Sequence, residues 1–190
     1  MPLPKPEQKY SYADYLTWNE GERWELLDGM AYMQAAPSRI HQQISMELAT
    51  QFHTYFKNKT CRVFAAPFCV RLDNEASDND IKNVVEPDIT IVCDISKLDE
   101  RGCKGSPDLI IEILSPTSGK TDKLIKFDKY EKAAVTEYWI VEPDSKLISV
   151  FVLQPNNRYG RPEMYSEEDK IRVSIFTDLE IDLKPVFKTL

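Results

Sequence analysis

A single carboxylate interrupts one of the most apolar runs of this chain. Glu112 stands within Leu109–Leu114, where every other residue is leucine or isoleucine. Both faces of an extended strand with that composition are apolar, so the Glu112 side chain is expected inside the fold. An ionised carboxylate there costs several kcal/mol unless a cation, hydrogen-bond donors or a proton offsets the lost hydration. The second acid is Asp88, which opens the apolar run Ile89–Cys93 directly after Pro87. If the two strands are antiparallel neighbours, the start of one lies beside the end of the other and the carboxylates converge. Such a pair is a hard-oxygen site suited to magnesium or manganese. The plainer alternative for Glu112 is a structural ion pair. Asp108, in a second Pro-Asp step, opens the strand of Glu112 and reads as a turn residue.

The elements that must position these acids can be read along the chain. Asp28-Gly29 between Trp24–Leu27 and Met30–Met33 predicts a tight hairpin, since both turn residues tolerate positive φ. From Ser38 to about Lys57 the residues Ile40, Ile44, Leu48, Phe52 and Phe56 recur at helical spacing after a Pro-Ser start signal. Arg62–Leu72, Asp88–Cys93 and Asp108–Leu114 then read as three consecutive strands. Ser115–Gly119 breaks the pattern, and a second helix is predicted from Lys120 to about Ala134. Glu137–Val141, Leu147–Leu153 and Ile171–Phe176 are strand-like. Asp73–Glu86 is acidic, polar and long for a connection, and reads as a mobile flap over the sheet.

Composition limits the rest. The 190 residues suit one domain, divided here into a hairpin region (10–36), a core (38–153) and a C-terminal extension (154–190). With 24 Lys and Arg against 31 Asp and Glu the net charge is −7, so the surface as a whole repels nucleic acid and anionic membranes. Any polyanion must meet a local basic patch. The lysines at 120, 123, 126, 129 and 132, with Arg101 and Lys104, are the obvious concentration. No signal peptide or membrane span is evident, which places the protein in the cytoplasm. Cys61, Cys69, Cys93 and Cys103 lack zinc-ligand spacing and read as reduced core thiols.

Several motifs together are similar to the Uma family of proposed restriction endonucleases. They are Glu25–Gly29, His41, Glu86–Asp88, Ser106–Thr117, then Asp122, Lys126 and Tyr130, and finally Glu137–Pro143. The resemblance runs from about Tyr12 to Val186. It implies an α/β fold of the PD-(D/E)XK, restriction-endonuclease-like kind: a central mixed β-sheet flanked by helices, here with an N-terminal β-hairpin. It also implies a magnesium- or manganese-dependent endonuclease that hydrolyses DNA phosphodiester bonds. On this resemblance Asp88, Glu112 and the backbone carbonyl of Ile113 hold the metal, and Asp88 and Glu112 are catalytic. The in-strand lysine of that superfamily falls on Leu114 and is absent. Lys126 is its candidate replacement, because Asp122, Lys126 and Tyr130 share one helix face at i, i+4, i+8. Glu25 is implied beside the site as a further ligand or water-positioning carboxylate. His41 is implied as a contact to phosphate or metal-bound water. A homodimer is implied too, seconded by the tail aromatics Tyr159 and Tyr165. The alternative is a catalytically inactive nuclease-fold module that binds nucleic acid or a protein partner, and Leu114 is its chief support. In a third reading Glu112 and Lys126 merely pair structurally in an interaction protein.

Overall fold

The computed structural model describes residues 4–5, 7–18, 21–115 and 121–188; for Thr121 and Asp122 it describes the backbone only. The predicted break at 116–119 and the lysine at 120 therefore lie outside the described residues, as does the side chain of Asp122. A single helical turn, α1 (Tyr12–Tyr15), precedes the hairpin of β1 (Trp24–Leu27) and β2 (Met30–Met33). Helix α2 (Arg39–Phe56) follows, then β3 (Arg62–Ala65), β4 (Val70–Arg71), β5 (Val84–Val85) and β6 (Ile89–Val92). Next come β7 (Leu98–Asp99), β8 (Gly102–Lys104) and β9 (Leu109–Ile113). A π-type turn over Thr121–Lys126 runs into α3 (Phe127–Lys132). The chain closes with β10 (Glu137–Glu142), β11 (Leu147–Val152), β12 (Glu163–Ser166), β13 (Lys170–Arg172), β14 (Glu180–Asp182) and α4 (Leu183–Phe187).

The central sheet expected from the sequence is in fact two mixed six-stranded sheets. Their orders are β12-β11-β10-β9-β6-β3 and β2-β1-β5-β4-β8-β7, with a separate β13-β14 ribbon. In the first sheet β9 pairs parallel with β10 and antiparallel with β6. A parallel pair needs a long crossover, and the helical segment 121–132 lies in that connection. The N-terminal hairpin is the edge of the second sheet, where Asp28 and Gly29 take φ of 53° and 78°. A Cβ on Gly29 would stand 2.9 Å from the Tyr10 carbonyl oxygen, so glycine is required there.

Alternation along the strands sorts the side chains into two layers. Ile89, Ile91, Leu109, Ile111, Ile113 and Trp139 face α2, whose Ile44, Leu48, Phe52 and Phe56 complete that layer. Ser38 caps this helix by accepting the His41 N–H at 3.2 Å. The opposite face carries Ile110, Tyr138 and Ile140, which meet Tyr130 together with Leu27, Val70 and Val85 of the second sheet. Glu112 shares this second face with Ile110, two residues away. Glu25 shares the face of Leu27 for the same reason. Both acids thus point into the layer between the sheets.

Three other expectations need correction. The run Arg62–Leu72 is not one strand. Its first half, β3, pairs with β6, whereas β4 pairs with β5 and β8 in the other sheet, the two being separated by a bend with a cis Ala66–Pro67 bond. Nor is Asp73–Glu86 a flap. The Asp73 carboxylate accepts the Lys82 and Asn83 N–H groups at 2.6 and 2.8 Å, Ile81 is fully buried, and β5 lies inside its sheet. Finally, Cys61 and Cys93 form a disulfide. They lie directly across the β3–β6 ladder, one step beyond the Arg62–Val92 pair, a register that cysteine spacing alone does not reveal. Cys69 and Cys103 are free thiols, and burial pushes them up to about 12 and about 11 respectively. Among the described residues no helix is long and apolar enough to cross a membrane.

Candidate active site

Glu112 is 3% exposed, and its burial is compensated by two donors on one oxygen. Lys126 Nζ lies 2.9 Å from Oε1, and the Tyr130 hydroxyl donates to the same atom at 2.6 Å. Helical spacing explains the pair: residues 126 and 130 are one turn apart and present the same face to β9. Tyr130 is fully buried, and its hydroxyl is held well above the ordinary tyrosine range by desolvation first, then by the charges of Glu112 and Glu25. It remains a donor at any physiological pH.

Lys126 makes a second ion pair of 2.9 Å, to Glu25 Oε1 on β1. Glu25 is fully buried. Its Oε1 also accepts the Glu86 N–H at 2.9 Å, and its Oε2 accepts from Gln34 Nε2 at 2.5 Å. One ammonium thus bridges the two sheets through two buried carboxylates. Hydrogen bonds with charged partners are the strong ones, and a low-dielectric setting strengthens them further.

Asp88 reaches the same place from β6. The ladder pairs Ile89 with Ile111, so one step further Asp88 stands opposite Glu112. Its Oδ2 accepts the Ile113 N–H at 2.7 Å and lies 3.0 Å from His41 Nε2. The other ring nitrogen of His41, Nδ1, is buried without a hydrogen-bond partner. Asp108, read from the sequence as a turn residue, precedes β9, and its Oδ2 accepts the Cys93 N–H at 2.7 Å.

These groups border a cleft of about 790 Å³ lined by Asp88, Glu112, Ile113, Lys126, Arg23 and Glu86, among others. The last two were not singled out from sequence. Glu86 accepts from Arg23 Nε at 2.8 Å and from the Tyr15 hydroxyl at 3.3 Å. Its place in the Glu86–Asp88 motif, two residues before Asp88, was the available signal. Of the sequence candidates, the structure brings together Glu25, His41, Asp88, Glu112, Ile113, Lys126 and Tyr130. Asp122 has a described backbone only.

Four members of the anticipated basic patch are paired with acidic neighbours. Lys123 pairs with Glu142 at 2.7 Å, Lys129 with Asp28 at 2.6 Å, Lys132 with Asp128 at 2.8 Å and Arg101 with Asp78 at 2.9 Å. Lys126 is buried and does not belong to a surface patch at all. Tyr159, expected as an exposed tail aromatic, packs instead against Phe127, Tyr138 and Phe151, and its hydroxyl donates to the Val135 carbonyl at 2.9 Å.

Over residues 12–184 the chain matches the Uma2 family, described as "Putative restriction endonuclease". The protein belongs to the Uma2 family. An uncharacterised protein of Synechocystis sp. is 27% identical over 149 residues, covering 77% of this chain and 75% of that protein. A crystal structure titled as a putative nuclease of the DUF820 group, from Anabaena variabilis, matches with a TM-score of 0.75 at 19% identity. That match covers 94% of this chain and 97% of the other. The shared fold is restriction-endonuclease-like, with mixed sheets flanked by helices.

Proposed function

We propose that this Uma2 protein is a metal-dependent endonuclease that hydrolyses DNA phosphodiester bonds. The observation that carries the proposal is the convergence of Asp88, Glu112 and Lys126 on one cleft from two adjacent strands and the helix above them. Among the described residues no group of three His, Cys, Asp or Glu side chains could hold a metal ion. A cation would therefore rest on two carboxylates, the Ile113 carbonyl and water or phosphate oxygens. That all-oxygen set fits magnesium, which commonly takes one or two carboxylates and keeps several waters, and it fits manganese equally.

Asp88 and Glu112 would hold the ion, which when bound lowers the pKa of a coordinated water and polarises the phosphoryl oxygens. The Ile113 N–H and His41 fix the Asp88 carboxylate in place. Lys126, positioned by Glu25 and Glu112, supplies a cationic group beside Glu112 that would stabilise negative charge developing on the phosphate. Tyr130, locked protonated, keeps Glu112 oriented.

A specific observation favours the second reading, an inactive module. The Lys126 ammonium is already shared between two carboxylates, as a structural ion pair would have it. Cleavage assays on single-stranded and duplex DNA with magnesium or manganese decide between them. Cleavage lost in both Asp88→Asn and Glu112→Gln supports the enzyme. Cleavage that survives both substitutions, or is absent from the wild type, rejects it. A two-copy arrangement belongs to this reading only where both strands of a duplex are cut.

A further inference from the structure

We propose that Arg23 is the phosphate anchor of this cleft, its guanidinium holding a phosphate of the nucleic acid that flanks the one to be cut. This rests on the nuclease reading and deepens it by assigning the residue that captures the polyanion.

The lining is acidic overall, with Glu86, Asp88, Glu112, Glu142 and Asp144 against Arg23 and Lys126. A polyanion can therefore be received only where a cation faces solvent. Lys126 does not: its side chain is 4% exposed, and its ammonium lies between Glu25 and Glu112. The Arg23 side chain is 35% exposed. Of the two lining cations it is the one an incoming phosphate can reach. The negative excess around it is also smaller than the roll of acids suggests. Glu142 pairs with Lys123 at 2.7 Å, and the divalent ion proposed for Asp88 and Glu112 would bring two positive charges.

The arginine is held ready for a second partner. Its carbonyl accepts the Gln34 N–H at 2.8 Å, which carries the β1–β2 ladder one step past Trp24–Met33. Alternation then puts Arg23 on the face of Glu25, two residues on, at the outer end of the line Glu25–Lys126–Glu112. Its Nε donates to Glu86 Oε2 at 2.8 Å. Glu86 is itself fixed, by the Tyr15 hydroxyl at 3.3 Å on Oε1 and by its own N–H on Glu25 at 2.9 Å. That bond uses one of the five guanidinium N–H groups. Among the described residues nothing accepts from Nη1 or Nη2. A planar fork fixed at Nε and open at its outer nitrogens suits phosphate, which it can bind through two parallel N–H···O bonds. Its carboxylate partner is Glu86, two residues before Asp88, so the phosphate it takes flanks the one at the Asp88–Glu112 pair.

A fluorescent phosphorothioate DNA duplex keeps the backbone charges and resists hydrolysis, so binding can be read with millimolar magnesium present. Arg23→Gln should bind it ~10-fold more weakly at low KCl, and the gap from wild type should shrink as KCl is raised, because a phosphate contact releases counterions. Arg23→Lys keeps the charge without the fork and should fall between the two. With the ordinary duplex, Arg23→Gln should raise KM ~10-fold and leave kcat within ~3-fold. Arg172→Gln, at a 70% exposed arginine outside the cleft, should change none of these. Since Arg23→Gln deprives Glu86 of its cation, each variant is assayed below its own melting range. A gap that stays constant with KCl, a loss confined to kcat, or an equal loss in Arg172→Gln overturns the anchor and leaves the nuclease reading intact. The expected binding gap in a protein that cuts nothing keeps the anchor and overturns the nuclease reading alone. A wild type that neither binds the phosphorothioate duplex nor cuts the ordinary one overturns both.

Discussion

Lys126→Ala is the most informative single perturbation, because the ammonium it removes lies 2.9 Å from each of two buried carboxylates. Removing one partner of a buried ion pair costs about 3–5 kcal/mol, since the remaining charge is left without compensation. Here two charges remain, but each keeps other donors: Tyr130 on Glu112, and Gln34 with the Glu86 N–H on Glu25. The loss is therefore set within that range and not doubled. For a chain of this size about 1 kcal/mol shifts the melting midpoint by about 2–4 °C, so the variant should melt ~6–20 °C below wild type. Millimolar magnesium should then raise the midpoint of the variant more than that of wild type. An ion bound only by the native state stabilises according to its native-state affinity, and removal of the ammonium leaves the site more anionic. Circular-dichroism melts of both proteins, with and without the ion, make the comparison. A midpoint within about 2 °C of wild type would show that the two carboxylates do not depend on Lys126. Cleavage should fall ~100-fold or more, measured below the variant's own melting range so that unfolding does not imitate the loss.

In wild type, millimolar magnesium or manganese should raise the melting midpoint, and Glu112→Gln should abolish the increase; a thermal scan indifferent to both ions rejects the metal site. Lys129→Ala should leave the salt dependence of DNA binding as it is, because that ammonium already pairs with Asp28 at 2.6 Å. A slope flattened by about one unit would instead make it a phosphate contact. Glu137→Gln should alter the pH dependence of stability. Burial holds the Glu137 carboxyl above its ordinary 4.5, against the lowering effect of hydrogen bonds from Ser174 and Trp139. A raised acid binds its proton more tightly when folded, so its stabilising contribution is present below 4.5 and is lost as pH rises through the folded value. The amide cannot ionise, so the midpoint of wild type minus that of Glu137→Gln should decline from about pH 4 to 7, and a constant difference would refute the assignment.

The local features that punctuate the chain were legible because they act over a few residues. Asp28-Gly29 made its hairpin, and the helical spacing of Ile44, Leu48, Phe52 and Phe56 defined the buried face of α2. The meeting of Asp88 and Glu112 was legible as a condition on strand pairing, and the Ile89–Ile111 register meets that condition. What stayed hidden depends on which sheet a strand joins. Nothing in Arg62–Leu72 announces that its halves belong to different sheets, and without that division neither the Cys61–Cys93 bond nor the inward face of Glu25 follows. Ion pairs across 19 and 101 residues, Lys123–Glu142 and Lys129–Asp28, likewise engage lysines that look free in one dimension.

On the proposed reading, in which Lys126 stands in for a lysine at position 114, Leu114 has a packing role of its own. Leu114 lies two residues beyond Glu112, and it packs with the layer between the sheets that includes Ile110, Tyr130 and Tyr138. A lysine at 114 would carry its charge into that layer at the strand end. The helical segment crossing the same face supplies an ammonium at 126 instead, and the second sheet contributes Glu25 to receive it. Leucine at 114 and a carboxylate on the hairpin are thus two parts of one arrangement. A protein with Leu114→Lys would place two ammonium groups around Glu112, so it should be less stable than wild type. Adding Lys126→Leu should recover much of that loss if a single cation is what the site requires. Double-mutant melts measure the coupling, and additive losses would mean that the two positions act independently.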